Sequence, residues 1–522
     1  MRSLAAVLFE LQSGRRWGRR ALCAALLTSL VAFAQDGGTV APAASGADGG
    51  SSIAAQVAGP PPPPKKLDPK VFDDALNDYF TGRPRDAAPK LFAYTETLPS
   101  TDENYAWAQF FLAKSLIDLK LKHAGAVYLA RIARERTNPA VLPRALDELQ
   151  KLTELPHDEV LIDEQVFGAL DLGFLPEEVA AYAHYQQGLV DLRVGNERWA
   201  NTHFAKLPEG SPQASRARYA LLVMRLKKSR KDIPKEMIDE FFELAKDEKL
   251  TQEARNDSML AVARLKYELQ DWQGALDAYA LVKLPPLDPG HATLYLEEAW
   301  TRYQLGQIHA AMGILTTLDA PSFREEFLPD KYLLKALIYR DLCHYLPAKR
   351  AAKELTRKYA DSLDAIRERE DLTQDARMFR AASAHGSTKR ARAFLDSIDL
   401  ESEQLGRYAG SFGDRMFGYM TRLYDLSHAE ATRVFQARLH DAVRAEADKL
   451  LRAAEQVRLM EYEVGLKLYE RVKKGSKLVP LIEEAPIGKT EVAFRFHDEY
   501  WNDELRSYRF SLKSRCIEET AR

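Results

Sequence analysis

The chain has 522 residues, 74 Lys and Arg against 76 Asp and Glu, a formal net charge of −2 and 46% hydrophobic residues. That length and apolar content suffice for a large buried core. The near balance of dispersed charge excludes a nucleic-acid surface and adhesion to anionic lipid, and three cysteines in so long a chain exclude a disulfide framework.

The N-terminus carries a basic stretch ending in Arg15-Arg16-Trp17-Gly18-Arg19-Arg20, followed by an uncharged, mostly apolar run from Ala21 to Ala34. With the closing Ala32-Phe33-Ala34, these are the three parts of a cleavable secretory signal over residues 1–34. The apolar run has 14 residues, whereas a membrane-spanning helix needs about 20; a cleaved signal is therefore expected over a retained anchor, leaving no integral span. No Phe-Leu pair follows Arg15-Arg16 to support twin-arginine export, and Cys23 opens the apolar run instead of ending it, as a lipidated cysteine would. Loss of residues 1–34 takes away five Arg and one Glu and leaves a charge of about −6. Cys343 and Cys516 then remain, and a single bridge between them is allowed in an oxidising compartment without being required.

Residues 35–66 read as a linker. Between 35 and 64, 22 of 30 residues are Gly, Ala, Pro or Ser, a composition that buries too little apolar surface to offset its ordering entropy. Pro60 to Pro64 stiffen its end into an extended segment.

A period of 36 to 38 residues organises residues 67–362. The register marks are Ala87, Gly125, Ile162, Ala200, Met237, Ala275, Ala311 and Ala348. Four residues after each stand Leu91, Leu129, Val166, Phe204, Phe241, Tyr279, Leu315 and Ala352. Seven after each stand Tyr94, Ile132, Ala169, Leu207, Leu244, Val282, Leu318 and Leu355. Such spacing sets one apolar stripe along one helix face. Twelve residues upstream of the marks, six of eight positions are Ala or Gly (Ala75, Ala113, Gly188, Ala263, Ala299 and Ala336), as two closely approaching helices require. Gly82, Gly195 and Gly306, five upstream, are placed to end the first helix in a left-handed turn, and Pro99 and Pro212 to stop the second. Each period is thus expected to be helix, turn, helix and breaker.

These residues resemble the tetratricopeptide-repeat family. The copy from Ala181 to Pro212 matches through Gly188, Gly195, Ala200, Phe204 and Pro212, and the copy from Leu294 to Pro321 through Ala299, Gly306 and Ala311. The copies around Ile162 and Met237 keep little beyond the apolar stripe. The resemblance implies an all-α fold: a right-handed superhelix of about eight TPR-like helix pairs with a concave groove lined by the first helices. Groove positions carried across are Trp107, Tyr182, Tyr185, Arg264, Tyr267, Trp300, Tyr303 and Arg340. They are the residue types that dominate binding hot spots, and equally the types that pack helices together.

Residues 363–425 read as additional, irregular helices interrupted by Gly406, Gly410, Gly413 and Gly418. Residues 426–474 read as a long amphipathic helix with an apolar seam at Val443, Ala447, Leu450, Ala454, Val457, Met460, Val464 and Leu468. That seam serves either a homo-oligomeric coiled coil or a cap folded back on the repeats. In the tail, 475–522, the alternation of Val492, Phe494 and Phe496 suggests a short strand, and Tyr500 and Trp501 are candidate partner-binding residues. An exported repeat protein ending in Tyr500-Trp501-Asn502-Asp503-Glu504-Leu505 looks like the periplasmic repeat components of gliding-motility envelope machinery in gliding proteobacteria.

No H-E-x-x-H, phosphate loop, G-x-S-x-G or C-x-x-C occurs, and the 11 His are scattered singly. The acidic tail group of His497, Asp498, Glu499, Asp503 and Glu504 reads as a solvated edge more readily than as a metal site. Glu401-Ser402 matches the catalytic pair of lytic transglycosylases, but the Gly-Leu-Met-Gln segment that accompanies it is absent. The expectation is therefore a periplasmic scaffold for other envelope proteins or peptides, neither enzyme nor nucleic-acid binder, with no cofactor or metal. Outer-membrane assembly or cell-wall coordination stands as the alternative process, and a peptidoglycan lytic enzyme as the alternative activity.

Overall fold

The computed structural model describes residues 68, 70–228, 234–286, 288–474, 499–501 and 505–516. The signal, the linker and the strand expected at 492–496 lie outside the described residues. Within them the protein is all-α, with no β-strand. In chain order come α1 (Lys70–Phe80), α2 (Pro84–Thr95), α3 (Tyr105–Asp118), α4 (Lys122–Glu135) and α5 (Leu142–Leu152). A π-helical turn, Val160–Phe167, precedes α6 (Glu177–Arg193), α7 (Glu197–Phe204), α8 (Pro212–Lys228), α9 (Lys235–Lys246) and α10 (Gln252–Glu268). Then follow α11 (Trp272–Ala280), α12 (Gly290–Gln304), α13 (Ile308–Thr317), α14 (Pro329–Asp341), α15 (Tyr345–Lys358) and α16 (Ala360–Glu368). A 3₁₀ turn (Leu372–Gln374), α17 (Ala376–Ser383), α18 (Gly386–Gly406) and α19 (Ala409–Lys473) complete the helices.

The described residues form two compact units: an N-terminal one from those between 68 and 224 with 386–438, and a C-terminal one from those between 225 and 385 with those between 439 and 516. The long helix α19 contributes its first part to the former and its second part to the latter.

Both units are built from hairpins closed by one repeated turn. In the N-terminal unit Gly82, Lys120 and Gly195 take positive φ (76°, 68° and 81°). In the C-terminal unit Gln270, Gly306 and Cys343 do the same (62°, 73° and 61°). All six lie five residues before a register mark. In each turn the left-handed residue donates its N–H to the carbonyl three residues back, and the next residue donates to the carbonyl five back. Gly82 to Tyr79 and Arg83 to Asp78 have the same pattern as Cys343 to Arg340 and His344 to Tyr339, and all twelve bonds measure 2.8–3.1 Å. This closure satisfies the carbonyls that the end of a helix leaves open.

The eight register marks are buried in their own units, and seven of the eight carry no more than 1% exposure, with Gly125 also buried. At the upstream positions, Ala75, Ala113, Ala263, Ala299 and Ala336 are wholly buried. The approach is close enough that a Cβ on Gly125 would stand 2.6 Å from Ile117 Cγ1 and 2.9 Å from the Ala113 carbonyl. Helix starts are marked by Pro84 and Pro329 at N1 and by the side chains of Thr251, Asp271 and Asp375, which accept from backbone N–H groups of the first turn.

Three local expectations need correction. Around Ile162 the second helix is the π-helical turn, so Ala169 falls beyond it and is exposed. Residues 386–406 form one unbroken helix, and α19 begins at Ala409, well before 426. Of the four glycines expected to interrupt the region, Gly413 breaks helical geometry (φ 68°, ψ 161°), whereas Gly418 lies inside α19. The glycine cost in a helix interior, about 1 kcal/mol, is small against burial of Phe412, Met416, Met420 and Leu423 on the same stretch. In the seam, Val443, Ala447, Leu450, Val457, Met460 and Val464 are buried within the C-terminal unit. The seam therefore packs internally.

The turn geometry generates a paired expectation. Gly306→Ala places a Cβ in the left-handed region and should cost about 1 kcal/mol, whereas Gln270→Gly relieves the same strain and should be neutral or stabilising by up to about 1 kcal/mol. The urea midpoint should fall for Gly306→Ala and hold or rise for Gln270→Gly; a fall in both would show that the turns are not under this constraint.

Candidate functional site

Four of the eight expected groove residues are interior. Tyr182 donates its hydroxyl to Asp163 Oδ1 at 3.0 Å and meets Phe167 edge-on. Tyr267 is wholly buried against Trp272, with ring centroids 4.7 Å apart. Trp300 is buried beside Tyr303. Arg264, 3% exposed, gives Glu297 a bidentate pair at 3.0 and 2.7 Å. The other four are half-buried. Trp107 packs on Phe110 and Phe111 under the Arg144 guanidinium, 5.1 Å from its ring. Tyr185 leans on Ala181, Phe204 and Leu207. Tyr303 donates to Asp341 Oδ2 at 2.5 Å. Arg340 pairs with Asp341 and Glu463. In the tail, Tyr500 is half-buried and Trp501 is 43% exposed.

The pair expected from Glu401-Ser402 is not presented together. Ser402 is exposed. Glu401 turns inward, and its Oε2 accepts from the His123 N–H at 2.9 Å and the Tyr424 hydroxyl at 2.7 Å. Burial pushes its pKa up to about 7 in spite of those bonds. The neighbouring His123 is buried and pushed down to about 4 by desolvation. Its Nε2 lies 2.7 Å from Ser427 Oγ, whose own hydroxyl donates to the Leu423 carbonyl. Ser427 is thus an acceptor from a neutral imidazole, the reverse of an activated nucleophile.

A second polar knot in the N-terminal unit centres on Glu159, which meets Arg390 Nε and Arg438 Nη2, each at 2.7 Å. Burial opposes the Glu159 charge, but the two guanidiniums hold its pKa below the usual carboxylate value. Next to it, burial raises Asp158 to about 6 against the Leu161 N–H bond. Among the described residues no cluster of His, Cys, Asp and Glu suited to a metal ion is present. Nor is any described helix long and apolar enough to cross a membrane.

The arrangement that sequence reasoning missed lies in the C-terminal unit, where tail residues 505–516 run along α12, α13 and the α14–α15 turn. The Thr317 hydroxyl donates to the Leu505 carbonyl, and Arg506 pairs with Glu298 while lying 5.7 Å above the Tyr295 ring. Phe510 N–H donates to the His309 carbonyl at 2.9 Å, and Leu512 N–H to His309 Nδ1 at 3.1 Å. His344 Nε2 donates to the Lys513 carbonyl at 2.8 Å, and Arg515 N–H to the Leu342 carbonyl at 3.0 Å. Leu505 and Leu512 are buried. A Cβ on Gly313 would overlap the Tyr508 carbonyl, so glycine is what lets the tail lie down there. Cys343 and Cys516 close the far end as a disulfide, with Cα atoms 5.3 Å apart across 173 residues of chain. One signal was available: Gly313 inside a helix costs about 1 kcal/mol relative to alanine and calls for a close neighbour.

A scan against family models finds no match to this chain, and comparison with curated proteins finds none.

Two expectations follow from the buried charges. Glu401 has a folded pKa of about 7 against an ordinary 4.5, so between those values the folded protein holds a proton that the unfolded chain has released. Its contribution to stability therefore declines as pH rises from about 4.5 to about 7. Glu401→Gln should be more stable than the parent by about 1–3 kcal/mol at pH 8 and no more stable at pH 4, as read from melting at the two pH values. In the C-terminal unit, Arg264→Ala leaves Glu297 buried and unpaired and should cost about 3–5 kcal/mol. Removing both charges by Arg264→Met with Glu297→Leu should recover most of that loss in denaturant titrations.

Proposed function

We propose that the chain is an exported, periplasmic scaffold whose stacked hairpins form a right-handed, tetratricopeptide-like superhelix that binds other envelope proteins. The observation that carries this reading is the recurrence of one turn, with the same two hydrogen bonds, at 82, 120, 195, 270, 306 and 343. A hairpin with an apolar stripe on each helix cannot bury both alone, and repetition at a fixed period is the way such units share a core. The Cys343–Cys516 bond suits an oxidising compartment and supports export through residues 1–34. In this reading Trp107, Tyr185, Tyr303 and Arg340, which keep part of their surface exposed, touch the partner directly. Tyr182, Arg264, Tyr267 and Trp300 shape the surface from beneath. A gliding-motility complex is the first process to test, on the resemblance of the Tyr500-Trp501 ending.

Crosslinking and pull-down of the mature protein from its own envelope should recover a defined set of envelope proteins. Trp107→Ala and Tyr303→Ala should each lower that recovery about tenfold at a temperature where both variants keep the helicity of the parent, the behaviour of a partially exposed anchor. Recovery of β-barrel assembly proteins alone would count against the motility assignment, and no specific recovery against the scaffold itself.

A further inference from the structure

We propose that the α12–α14 face is a binding seat for an extended peptide, that tail residues 505–516 are its resident occupant, and that the Cys343–Cys516 bond is the latch that excludes competitors. The seat recognises its occupant mostly through the main chain. Carbonyls of Leu505 and Lys513 are taken by Thr317 and His344, and the N–H groups of Phe510, Leu512 and Arg515 by His309 and Leu342. Such contacts are independent of the occupant's side chains. Selectivity comes from three places: the Leu505 and Leu512 side chains are buried, and the Arg506 guanidinium sits between the Glu298 carboxylate and the Tyr295 ring. The ligand class is therefore an extended segment reading apolar-basic, then apolar six residues after the basic one.

An occupant tethered to its own seat competes at a millimolar effective concentration, and a covalent bond raises that further. Opening the latch requires a dithiol reductant. One of its thiolates attacks Sγ of Cys516, the less buried of the two residues, and Cys343 leaves as a thiolate that takes up a proton. The second thiol of the reductant then attacks its partner sulfur in the mixed disulfide and frees Cys516 as a thiol. The reductant ends as a disulfide and the protein as two thiols, so two electrons and two protons are transferred. The tail is then held without a covalent bond, by hydrogen bonds, one ion pair and the burial of Leu505 and Leu512, and a second segment of the same chemistry can replace it.

This deepens the scaffold reading and rests on it. The test uses the full chain and a fluorescent peptide of residues 505–516 with its cysteine replaced by serine. The oxidised parent should not bind the peptide, whereas Cys343→Ser/Cys516→Ser carrying Leu505→Asp, Arg506→Glu and Leu512→Asp should bind it. Adding Gly313→Val should abolish that binding, and Thr317→Val, which leaves the helix backbone untouched, should weaken it at least fivefold at unchanged helicity. In the parent, a dithiol should speed amide exchange at Phe510, Leu512 and Arg515 at least tenfold relative to the oxidised form. Absence of peptide binding to the tail-detached chain overturns the seat, and unchanged exchange on reduction overturns the latch. If partners are still recovered from the envelope while the peptide fails to bind, the seat falls and the scaffold stands; if neither occurs, both fall.

Discussion

The close approach of two helices across a left-handed turn is the constraint from which both units are assembled. Once the first helix ends at Gly82, Gly195 or Gly306, the second must leave in a set direction, because both N–H groups of the turn are committed to the helix just finished. The partner helices then lie so near that the facing positions must be small. Gly125 over Ala113 and Gly188 over Phe204 show the two forms of that limit, backbone against backbone and backbone against ring. Lys120, Gln270 and Cys343 hold the same turn without being glycine. Their left-handed conformation costs about 1–2 kcal/mol each, a cost the two turn bonds and the buried stripe below them outweigh.

Buried carboxylates are handled in two opposite ways. Glu401 stands at the first turn of α4, where the helix dipole and the His123 N–H favour a carboxylate. Desolvation is the larger effect, so the group is driven toward neutrality. In the C-terminal unit Glu297 is more deeply buried, and it faces a guanidinium that forks onto both its oxygens. Glu159, held by two guanidiniums, keeps its pKa below the usual carboxylate value in spite of burial; a carboxylate offered only hydrogen bonds does not.

The tail shows how a helical surface can hold an extended segment that adds no regular structure. Sheets capture such segments through an open edge, but helices have satisfied their own backbone groups and offer none. Here the contacts come from the spare lone pair of the His309 carbonyl in the first turn of α13, from the Leu342 carbonyl left open at the end of α14, and from the hydroxyl and imidazoles of Thr317, His309 and His344. Gly313 removes the one Cβ that would stand in the way.

The all-α class, the period of the apolar stripe and the left-handed turns at Gly82, Gly195 and Gly306 were written in the sequence, because helix periodicity and turn chemistry are local properties set within a dozen residues; the same turn at Lys120, Gln270 and Cys343 carries no glycine to announce it. The same local reasoning overestimated Gly418 as a breaker, since burial on the opposite face of α19 decides that case. It also could not assign roles to Arg264, Tyr267 and Trp300, because a residue type suited to a binding surface is equally suited to an interior, and only the partner across the gap distinguishes them. Whether Cys343 and Cys516 meet, whether the Val443–Val464 seam packs internally, and where residues 505–516 lie are questions of contacts spanning more than a hundred residues. Spacing along the chain says nothing about such distances, and only the tertiary structure decided them.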